Sequence, residues 1–333
     1  MNHAPPYRSE GSIVTASQRF ALTDEELAQF HERGIAGPFR VYEPQDMEAA
    51  LRKLRPRLLD TKKAIFRSKE AVSGVTNLAN YDRHFDVPFL ARHICRPEIV
   101  DRVASILGPD VVCWRTEFFP KYPGDEGTDW HQAGTFANVT TSKQPQIVWP
   151  EGSGGRGALT VWTAFTESTI ENGCLQVIPG SHRTIYYDEN KVMDYDDTRI
   201  NRLDKGGTRR GFFGYDYRQL QVDPDWRPDE SKAVSLILEP GEFVIFWSTL
   251  LHASHPHSGN TKKMRLGFSA RYVPTSVRIY PYSDTLDEFG GKASLDNYRA
   301  VLVAGEDDFG HNPLATHDVD GEKFQCRPRA ATQ

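Results

Sequence analysis

The sequence predicts a mainly β fold with flanking helices, of the double-stranded β-helix class (jelly roll, cupin-like). Helical patterns dominate the part of the chain before residue 111. From residue 111 onward, short aromatic and β-branched stretches alternate with Gly, Pro, Asn and Asp, which is typical of strands joined by turns. No Gly-rich nucleotide-binding pattern is present. Helices followed by unevenly spaced antiparallel strands fit a jelly roll better than alternating βαβ units.

Three helices are predicted in the amino-terminal part. In LTDEELAQFHERG, Thr23 and Glu26 can form a capping box, and the final glycine supplies a left-handed stop. A second helix is predicted over PQDMEAALRKLR and should end before Pro56, because proline breaks helical hydrogen bonding. A third is predicted over PEIVDRVASILG, with proline in its first turn and glycine after its last.

The predicted strands lie in VVCWRTEFFPKY, QIVWP, ALTVWTAF, CLQVIPG, AVSLILEPGEFVIFWSTLL and MRLGFSARYV. We expect residues 1–20 to be a flexible amino-terminal segment and residues 21–333 to form one domain. The polar stretch at about 186–211 is long enough to act as a lid over a site in that domain.

Composition excludes several classes of function. The 40 basic and 45 acidic residues give a net charge of -5 without a basic block, so nucleic acid is not expected as a partner. The four cysteines lie far apart and form no CxxC pair, which argues against a zinc knuckle or a disulfide framework. No apolar stretch is long enough to span a bilayer, so no membrane association is expected. We therefore expect a cytoplasmic protein.

Two histidines are candidate metal ligands. His131 lies in DWHQAGTF, after a predicted strand and turn, and Ala133 follows where an iron site would normally have a carboxylate. The partner should come from LLHASHPHSG, where His252 ends the apolar stretch FVIFWSTLL on a rigid element. The other two histidines of that segment, His255 and His257, bracket a proline in a turn and can equally well face solvent.

Two arginines are predicted to share one face of a strand. In MRLGFSARYV, residues 265, 267, 269 and 271 alternate with apolar residues, so Arg265 and Arg271 point the same way. If that face lines the barrel, each guanidinium needs an anion, and a dicarboxylate would serve. Taken alone, the strand fits two surface arginines equally well.

These motifs together resemble a known family. The order HxA at 131–133, NGCLQVIPGSH at 172–182, His252 and Arg265 resembles the iron(II)- and 2-oxoglutarate-dependent oxygenases of the phytanoyl-CoA dioxygenase superfamily. A closer resemblance is to its non-haem iron halogenases, which chlorinate an amino acid held as a thioester on a carrier protein. The segments that carry it are WHQAGTFANV, QIVWPEG, TVWTAFTESTIENGCLQVIPG, RRGFFGYDYRQLQ, FWSTLLHASHPHSG and MRLGFSARYVP, and the match covers most of the chain from about residue 20 onward.

The resemblance gives the alanine a meaning. In an ordinary member, two histidines and one carboxylate hold Fe(II) and leave positions for 2-oxoglutarate and O2. Ala133 cannot coordinate, so the resemblance implies that chloride takes the open position and balances the missing charge. The substrate carbon would then receive chlorine in place of hydroxyl.

The resemblance also implies a role for each matching position. His131 and His252 would bind iron, and Arg265 would bind the distal carboxylate of 2-oxoglutarate. The remaining implied positions are Thr128 and Trp162 in the cosubstrate pocket; Asn138, Thr160 and Arg271 around chloride; and Glu117, Phe119 and Phe136 on the wall facing the substrate. An ordinary barrel interior explains Glu117, Trp162 and the two phenylalanines nearly as well.

The implied substrate is a threonyl or 2-aminobutyryl group on the phosphopantetheine arm of a peptidyl carrier protein. An acidic carrier could meet the basic residues of the predicted lid, which are Arg202, Lys205, Arg209 and Arg210. Three alternatives stay open. They are a hydroxylase with a third ligand elsewhere, such as Asp129, a halogenase of a free amino acid, and a cupin-like binding module without turnover.

Overall fold

The computed structural model describes residues 19–66, 80–137, 143–155, 157–191, 193, 216–288 and 291–329. Asn138, nearly all of the expected amino-terminal segment and most of the expected lid lie outside the described residues. The four basic lid residues Arg202, Lys205, Arg209 and Arg210 lie outside them as well.

The described strands form two principal sheets, which confirms the predicted jelly-roll class. The larger sheet has the order β1 (Ile35–Arg40), β8 (Glu242–Trp247), β5 (Leu159–Ala164), β10 (Arg265–Pro274), β2 (Val111–Lys121), β14 (Ala300–Ala304), β15 (Leu314–Ala315). The smaller has the order β3 (Thr128–His131), β9 (His252–Ser254), β6 (Leu175–Val177), β7 (Val234–Leu236). Two further ribbons pair β4 (Ile147–Val148) with β11 (Arg278–Ile279) and β12 (Thr285–Glu288) with β13 (Gly291–Ser294).

Four helices flank the larger sheet: α1 (Asp24–Arg33), α2 (Pro44–Leu59), α3 (Pro88–His93) and α4 (Pro97–Leu107). The predicted capping box of Thr23 and Glu26 is present, and Gly34 ends α1 in the left-handed region with a φ of 75°. The helices bury Phe30, Met47, Leu90 and Ile99 in one core with apolar residues of β2, β5, β8 and β10.

The predicted end of α2 is wrong, because the helix continues through Pro56 to Leu59. Its last carbonyl groups are bound by a buried arginine that is distant in sequence. Arg83 donates to the carbonyl oxygens of Leu58 and Arg57 at 2.9 Å each, and its guanidinium also pairs with Asp86 at 2.8 Å. This tertiary cap satisfies carbonyls at the carboxyl end of the helix, which have no partner within the helix, and so stabilises the turn that follows Pro56.

The long stretch AVSLILEPGEFVIFWSTLL is divided between both sheets. It contains β7 and β8, and the turn after Trp247 carries the chain across to the smaller sheet, where His252 begins β9. The expectation that His252 ends the preceding apolar strand is therefore wrong.

No pattern in the sequence indicated β1 or β14, which lies near the carboxyl terminus. Pro38 is tolerated in β1 because this strand lies at the edge of its sheet.

Strand β10 has two different faces, as its alternation predicts. Phe268, Ala270 and Tyr272 lie in the core shared with the helices, whereas Arg265, Ser269 and Arg271 line an internal pocket. Strand β10 is paired on both sides, with β2 and with β5. The register partners of Ser269 and Arg271 therefore also face the pocket, and they are Glu117, Trp162, Arg115 and Thr160. The register of three strands therefore positions one wall of the site.

Within the residues described, no helix combines the length and the apolar character needed to cross a membrane.

Replacing Arg83 should destabilise the fold strongly. Arg83→Leu leaves Asp86 buried without its cation and removes the donors to the end of α2, so we expect a loss of about 3–5 kcal/mol in the free energy of unfolding. Urea denaturation would measure this loss. Lys63→Met, which breaks only the exposed pair with Asp320, should leave the midpoint almost unchanged. Equal midpoints for the two variants would contradict the role assigned to Arg83.

Candidate active site

A pocket between the two principal sheets collects nearly all the described candidate residues. Its walls come from β2, β5 and β10 of the larger sheet and from β3 and β9 of the smaller sheet. The candidates that line it are Glu117, Phe119, Thr128, His131, Ala133, Phe136, Thr160, Trp162, His252, Arg265 and Arg271. Of the positions predicted to form the site, only Asn138 cannot be placed, because it lies outside the described residues.

The two histidines lie opposite each other on paired strands. His131 of β3 is the register partner of His252 of β9, and the centroids of their imidazole rings are 4.0 Å apart. In each ring, Nδ1 lies within hydrogen-bond distance of the carbonyl oxygen two residues earlier, at 2.8 Å for Asp129 and 2.7 Å for Leu250. A carbonyl oxygen can only accept, so Nδ1 carries the hydrogen and Nε2 keeps its lone pair.

Burial keeps both imidazoles neutral. It lowers the pKa of His252 to about 4, and burial together with the neighbouring His252 holds the pKa of His131 well below its usual value. Neutral imidazole is the form that coordinates metal ions. The Nε2 atoms of the two rings are therefore in the form that can coordinate a metal ion.

Ala133 lies beside the histidines, and its backbone is fixed on both sides by Ser248. The Ala133 amide donates to the carbonyl oxygen of Ser248 at 2.9 Å, and the Ser248 hydroxyl donates to the carbonyl oxygen of Ala133 at 2.6 Å. Among the described residues, no third His, Cys, Asp or Glu joins the two histidines in a metal-binding cluster. Asp129, the alternative third ligand, therefore does not complete the set.

Arg265 lines the pocket as a buried cation at the start of β10. It donates to the carbonyl oxygens of Gly173 at 2.9 Å and Phe119 at 3.2 Å, and it lies over the Trp162 ring at 5.5 Å. Its Nε has no hydrogen-bond partner, and in the described part of the chain it forms no ion pair with a carboxylate. Burial lowers the pKa of Arg265 to about 10. An unpaired buried guanidinium beside an open pocket is suited to an anionic ligand.

A second buried cation supports this end of the pocket. Lys121, which the sequence analysis missed, pairs in register with Arg265, and burial lowers its pKa well below the usual value. Its ammonium donates to Ser254 Oγ at 2.8 Å, and Ser254 Oγ in turn lies 2.8 Å from the hydroxyl of Thr128. Thr128 therefore lines the pocket as part of a hydrogen-bonded chain.

Arg271 forms an ion pair with a carboxylate of the protein itself. It pairs with Glu117 at 2.9 Å and lies 5.3 Å from the centre of the Phe136 ring. Burial raises the pKa of Glu117, and the nearby Arg271 partly opposes that shift. Thr160 is the register partner of Arg271 on β5. The expectation that both arginines point inward is confirmed, and the surface alternative is wrong.

The far end of the pocket carries a polar network that sequence reasoning missed. Arg115 pairs with Glu288 at 2.9 Å, and Tyr81 donates to the other carboxylate oxygen of Glu288 at 2.7 Å. Arg115 was detectable, because it lies two residues before Glu117 and therefore on the same face of β2. Glu288 and Tyr81 had no such signal, since only the tertiary fold brings them to the pocket.

The remaining histidines of the LLHASHPHSG segment do not reach the metal-binding pair. The interpretation of His257 as solvent-facing is wrong, because its side chain is buried and lies 3.0 Å from the carbonyl oxygen of Lys263. His255 is half-buried, with its Nε2 2.8 Å from Ser235 Oγ.

The sequence profile of the phytanoyl-CoA dioxygenase (PhyH) family matches residues 30–265, which include both histidines, Ala133 and Arg265. The chain is 24% identical to phytanoyl-CoA dioxygenase, peroxisomal, of Rattus norvegicus over 76% of its own length and 63% of that protein. The corresponding Homo sapiens protein is 26% identical over 65% and 61%. The chain thus spans less than two thirds of these curated relatives.

A solved structure of CytC3 with Fe(II) and alpha-ketoglutarate is similar over nearly the whole chain. It is 41% identical, with a TM-score of 0.72, and the alignment covers 94% of this chain and 99% of CytC3.

Gly267 should be required for the position of Trp162. A Cβ at residue 267 would lie 2.0 Å from Cζ2 of the Trp162 ring, so Gly267→Ala should displace the indole and cost about 1–3 kcal/mol of stability. Near-ultraviolet circular dichroism and urea denaturation would report the two effects. Ser269→Ala, which adds no atom to the same face of β10, is the control. An unchanged tryptophan signal in Gly267→Ala would contradict this packing.

Proposed function

Because the chain belongs to the phytanoyl-CoA dioxygenase (PhyH) family, we propose that it is an Fe(II)- and 2-oxoglutarate-dependent halogenase. Its proposed reaction is the chlorination of an unactivated aliphatic carbon in an aminoacyl group, threonyl or 2-aminobutyryl, tethered to a peptidyl carrier protein. The observation that carries the proposal is Ala133, whose methyl group lines the pocket beside two neutral histidines where a third protein ligand would stand.

The residues present fit an iron ion with an incomplete protein ligand set. His131 and His252 would hold the metal through Nε2, because their Nδ1 atoms are already bonded to backbone carbonyls. The iron found with CytC3 supports this assignment by similarity. Bound iron, with 2-oxoglutarate and O2, would supply the oxidising power needed to attack an unactivated C–H bond.

The residues also fit 2-oxoglutarate. The unpaired Nε of Arg265 points to a ligand that accepts hydrogen bonds, and the distal carboxylate of the cosubstrate has the required charge and geometry. Trp162 packs beneath the guanidinium and restricts its position, while Thr128 offers a hydroxyl on the facing sheet. The alpha-ketoglutarate present with CytC3 supports the same assignment.

Chloride is the proposed third ligand for a reason of space and charge. Alanine in place of a carboxylate removes one negative charge and the volume of a carboxyl group, and a halide restores both. Arg271 lies on the same side of the pocket, but Glu117 already neutralises it. Because Arg271 is already paired, the halide would balance the charge of the metal rather than that of the arginine.

The substrate assignment is a proposal drawn from the resemblance and from the polar end of the pocket. Glu117 and Glu288 line that end, and each already pairs with an arginine. We propose that the ammonium group of an aminoacyl thioester would share one of these carboxylates, since each carboxylate oxygen can accept more than one hydrogen bond. A carrier-tethered substrate would enter on a long flexible arm, so that the reacting carbon is aligned before oxidation starts.

Chloride should control assembly of the site. In protein loaded anaerobically with Fe(II), the visible charge-transfer band of bound 2-oxoglutarate should develop tightly only when chloride is present. Ala133→Asp supplies a carboxylate at the open position, so its band should form without chloride and chlorination should be lost. Ala133→Gly, which adds no ligand, should keep the requirement for chloride.

An equally strong band without chloride in the wild-type protein would refute the halogenase proposal. A hydroxylase with a third ligand outside the described residues would then take its place. Continued chloride dependence in Ala133→Asp would show that residue 133 does not face the metal.

Carrier tethering is tested separately. Threonyl and 2-aminobutyryl groups loaded on a carrier protein should be chlorinated at least about a hundredfold faster than the free amino acids, because the tether aligns the reacting carbon. Product mass spectrometry under identical iron, chloride and 2-oxoglutarate concentrations gives the comparison. Equal rates would favour a halogenase of free amino acids, while leaving the chloride result unaffected.

A further inference from the structure

The short loop that follows His131 is held by one carboxylate from elsewhere in the chain. Glu189 accepts hydrogen bonds from the backbone amides of Gly134 at 2.9 Å, Thr135 at 2.6 Å and Phe136 at 3.2 Å. It also accepts one from the Thr135 hydroxyl at 2.7 Å. Three successive amides converging on one anion form a backbone nest, a geometry that favours negative charge.

The loop adopts this shape at a local cost. Phe136 has a φ of 60°, in the left-handed region that residues other than glycine seldom occupy. Gly134 allows the carboxylate to approach, since a Cβ there would lie only 3.1 Å from Glu189 Oε2. The bonds to Glu189 offset the unfavourable backbone conformation and give all three amides partners.

The loop forms part of the active pocket. Both Ala133 and Phe136 line it, and the Phe136 ring lies between Trp114, with ring centroids 5.2 Å apart, and the guanidinium of Arg271. A shift of the loop would therefore change both the space beside Ala133 and the surroundings of Arg271. In the described part of the chain, Arg265 makes its hydrogen bonds and its ring contact with residues other than Glu189 and the loop.

The segment that contains Glu189 also contacts Gln132, the residue that follows β3. The buried Gln132 side chain donates to the carbonyl oxygen of Thr184 at 2.9 Å and accepts from the Tyr186 amide at 2.9 Å. Residues 184–189 thus contact the strand end at Gln132 and the loop that follows it. In the described part of the chain, residues 184–189 bond to residues 132–136 through neutral groups, with one exception. The exception is the carboxylate of Glu189.

We propose that Glu189 is a positioning residue for the site beside Ala133. Its carboxylate fixes the loop 134–136 and so sets the space in which the third ligand binds. The identity of that ligand as chloride rests on the proposed function, but the effect of Glu189 on the loop does not.

The test compares Glu189→Gln with Asp188→Asn. Both lose one carboxylate charge from the same segment, but the carboxylate of Asp188 accepts hydrogen bonds only from Asn190 in the described structure. In the metal-free protein, hydrogen exchange at the amides of residues 134–136 should be at least about tenfold faster in Glu189→Gln and unchanged in Asp188→Asn. Thr135→Val, which removes one bond of the four, should give a smaller increase and serves if Glu189→Gln fails to fold.

The loaded protein gives the second readout. In Glu189→Gln, the chloride concentration needed for the charge-transfer band should rise roughly tenfold, while the affinity for 2-oxoglutarate at saturating chloride stays within about twofold. A general loss of structure would weaken both, so equal losses would overturn the proposal. Unchanged hydrogen exchange would also overturn it.

If the wild-type band itself does not depend on chloride, the proposed function fails. The exchange measurement then decides the role of Glu189 alone.

Discussion

The pairing of β3 with β9 is the constraint on which the site depends. It places His131 opposite His252 on two hydrogen-bonded strands, so the distance between the imidazoles is set by backbone geometry. Each ring is then oriented by a carbonyl two residues earlier, and burial keeps both neutral. Because the backbone fixes two donors, the proposed third ligand depends on the residue at position 133. That position is held by Ser248, whose bonds use only the backbone of Ala133.

The larger sheet buries several cations in the pocket or beside it. Arg271 and Arg115 are neutralised by carboxylates, Glu117 and Glu288, whereas the ammonium of Lys121 is satisfied by backbone and hydroxyl oxygens. Among these four described residues, Arg265 differs in two ways taken together. Its buried Nε has no hydrogen-bond partner, and its guanidinium forms no ion pair. An arginine whose charge the protein leaves uncompensated can pair with a ligand. Arg265 is therefore the proposed anion-binding residue, in contrast to Arg115 and Arg271, whose charges are already paired.

Strand β10 contacts the flanking helices with one face and the pocket with the other. The even residues of β10 pack against the helices, and its odd residues face the site, so packing on one face fixes the direction of side chains on the other. The loop after His131 belongs to no strand, and the carbonyl oxygen of Thr135 accepts from the amides of Gln146 and Ile147. Glu189 and the segment 184–189 add hydrogen bonds to backbone amides and to Gln132. Paired strands hold the two histidines, and the carboxylate of Glu189 holds the neighbouring loop.

The sequence by itself determined the periodic features, because they depend on neighbours along the chain. These include the capped helix from Asp24 to Arg33, the strands β2, β5, β6 and β10, and the shared face of Arg265 and Arg271. It also identified His131, Ala133 and His252, whose motifs are local. Only the tertiary structure decided which strands belong to which sheet, what caps the end of α2 beyond Pro56, that Glu288 lines the pocket, and that Lys121 and Glu189 bond to residues around it. Those contacts join residues far apart in sequence, and no periodic pattern records them, since they arise only when the two sheets close on each other.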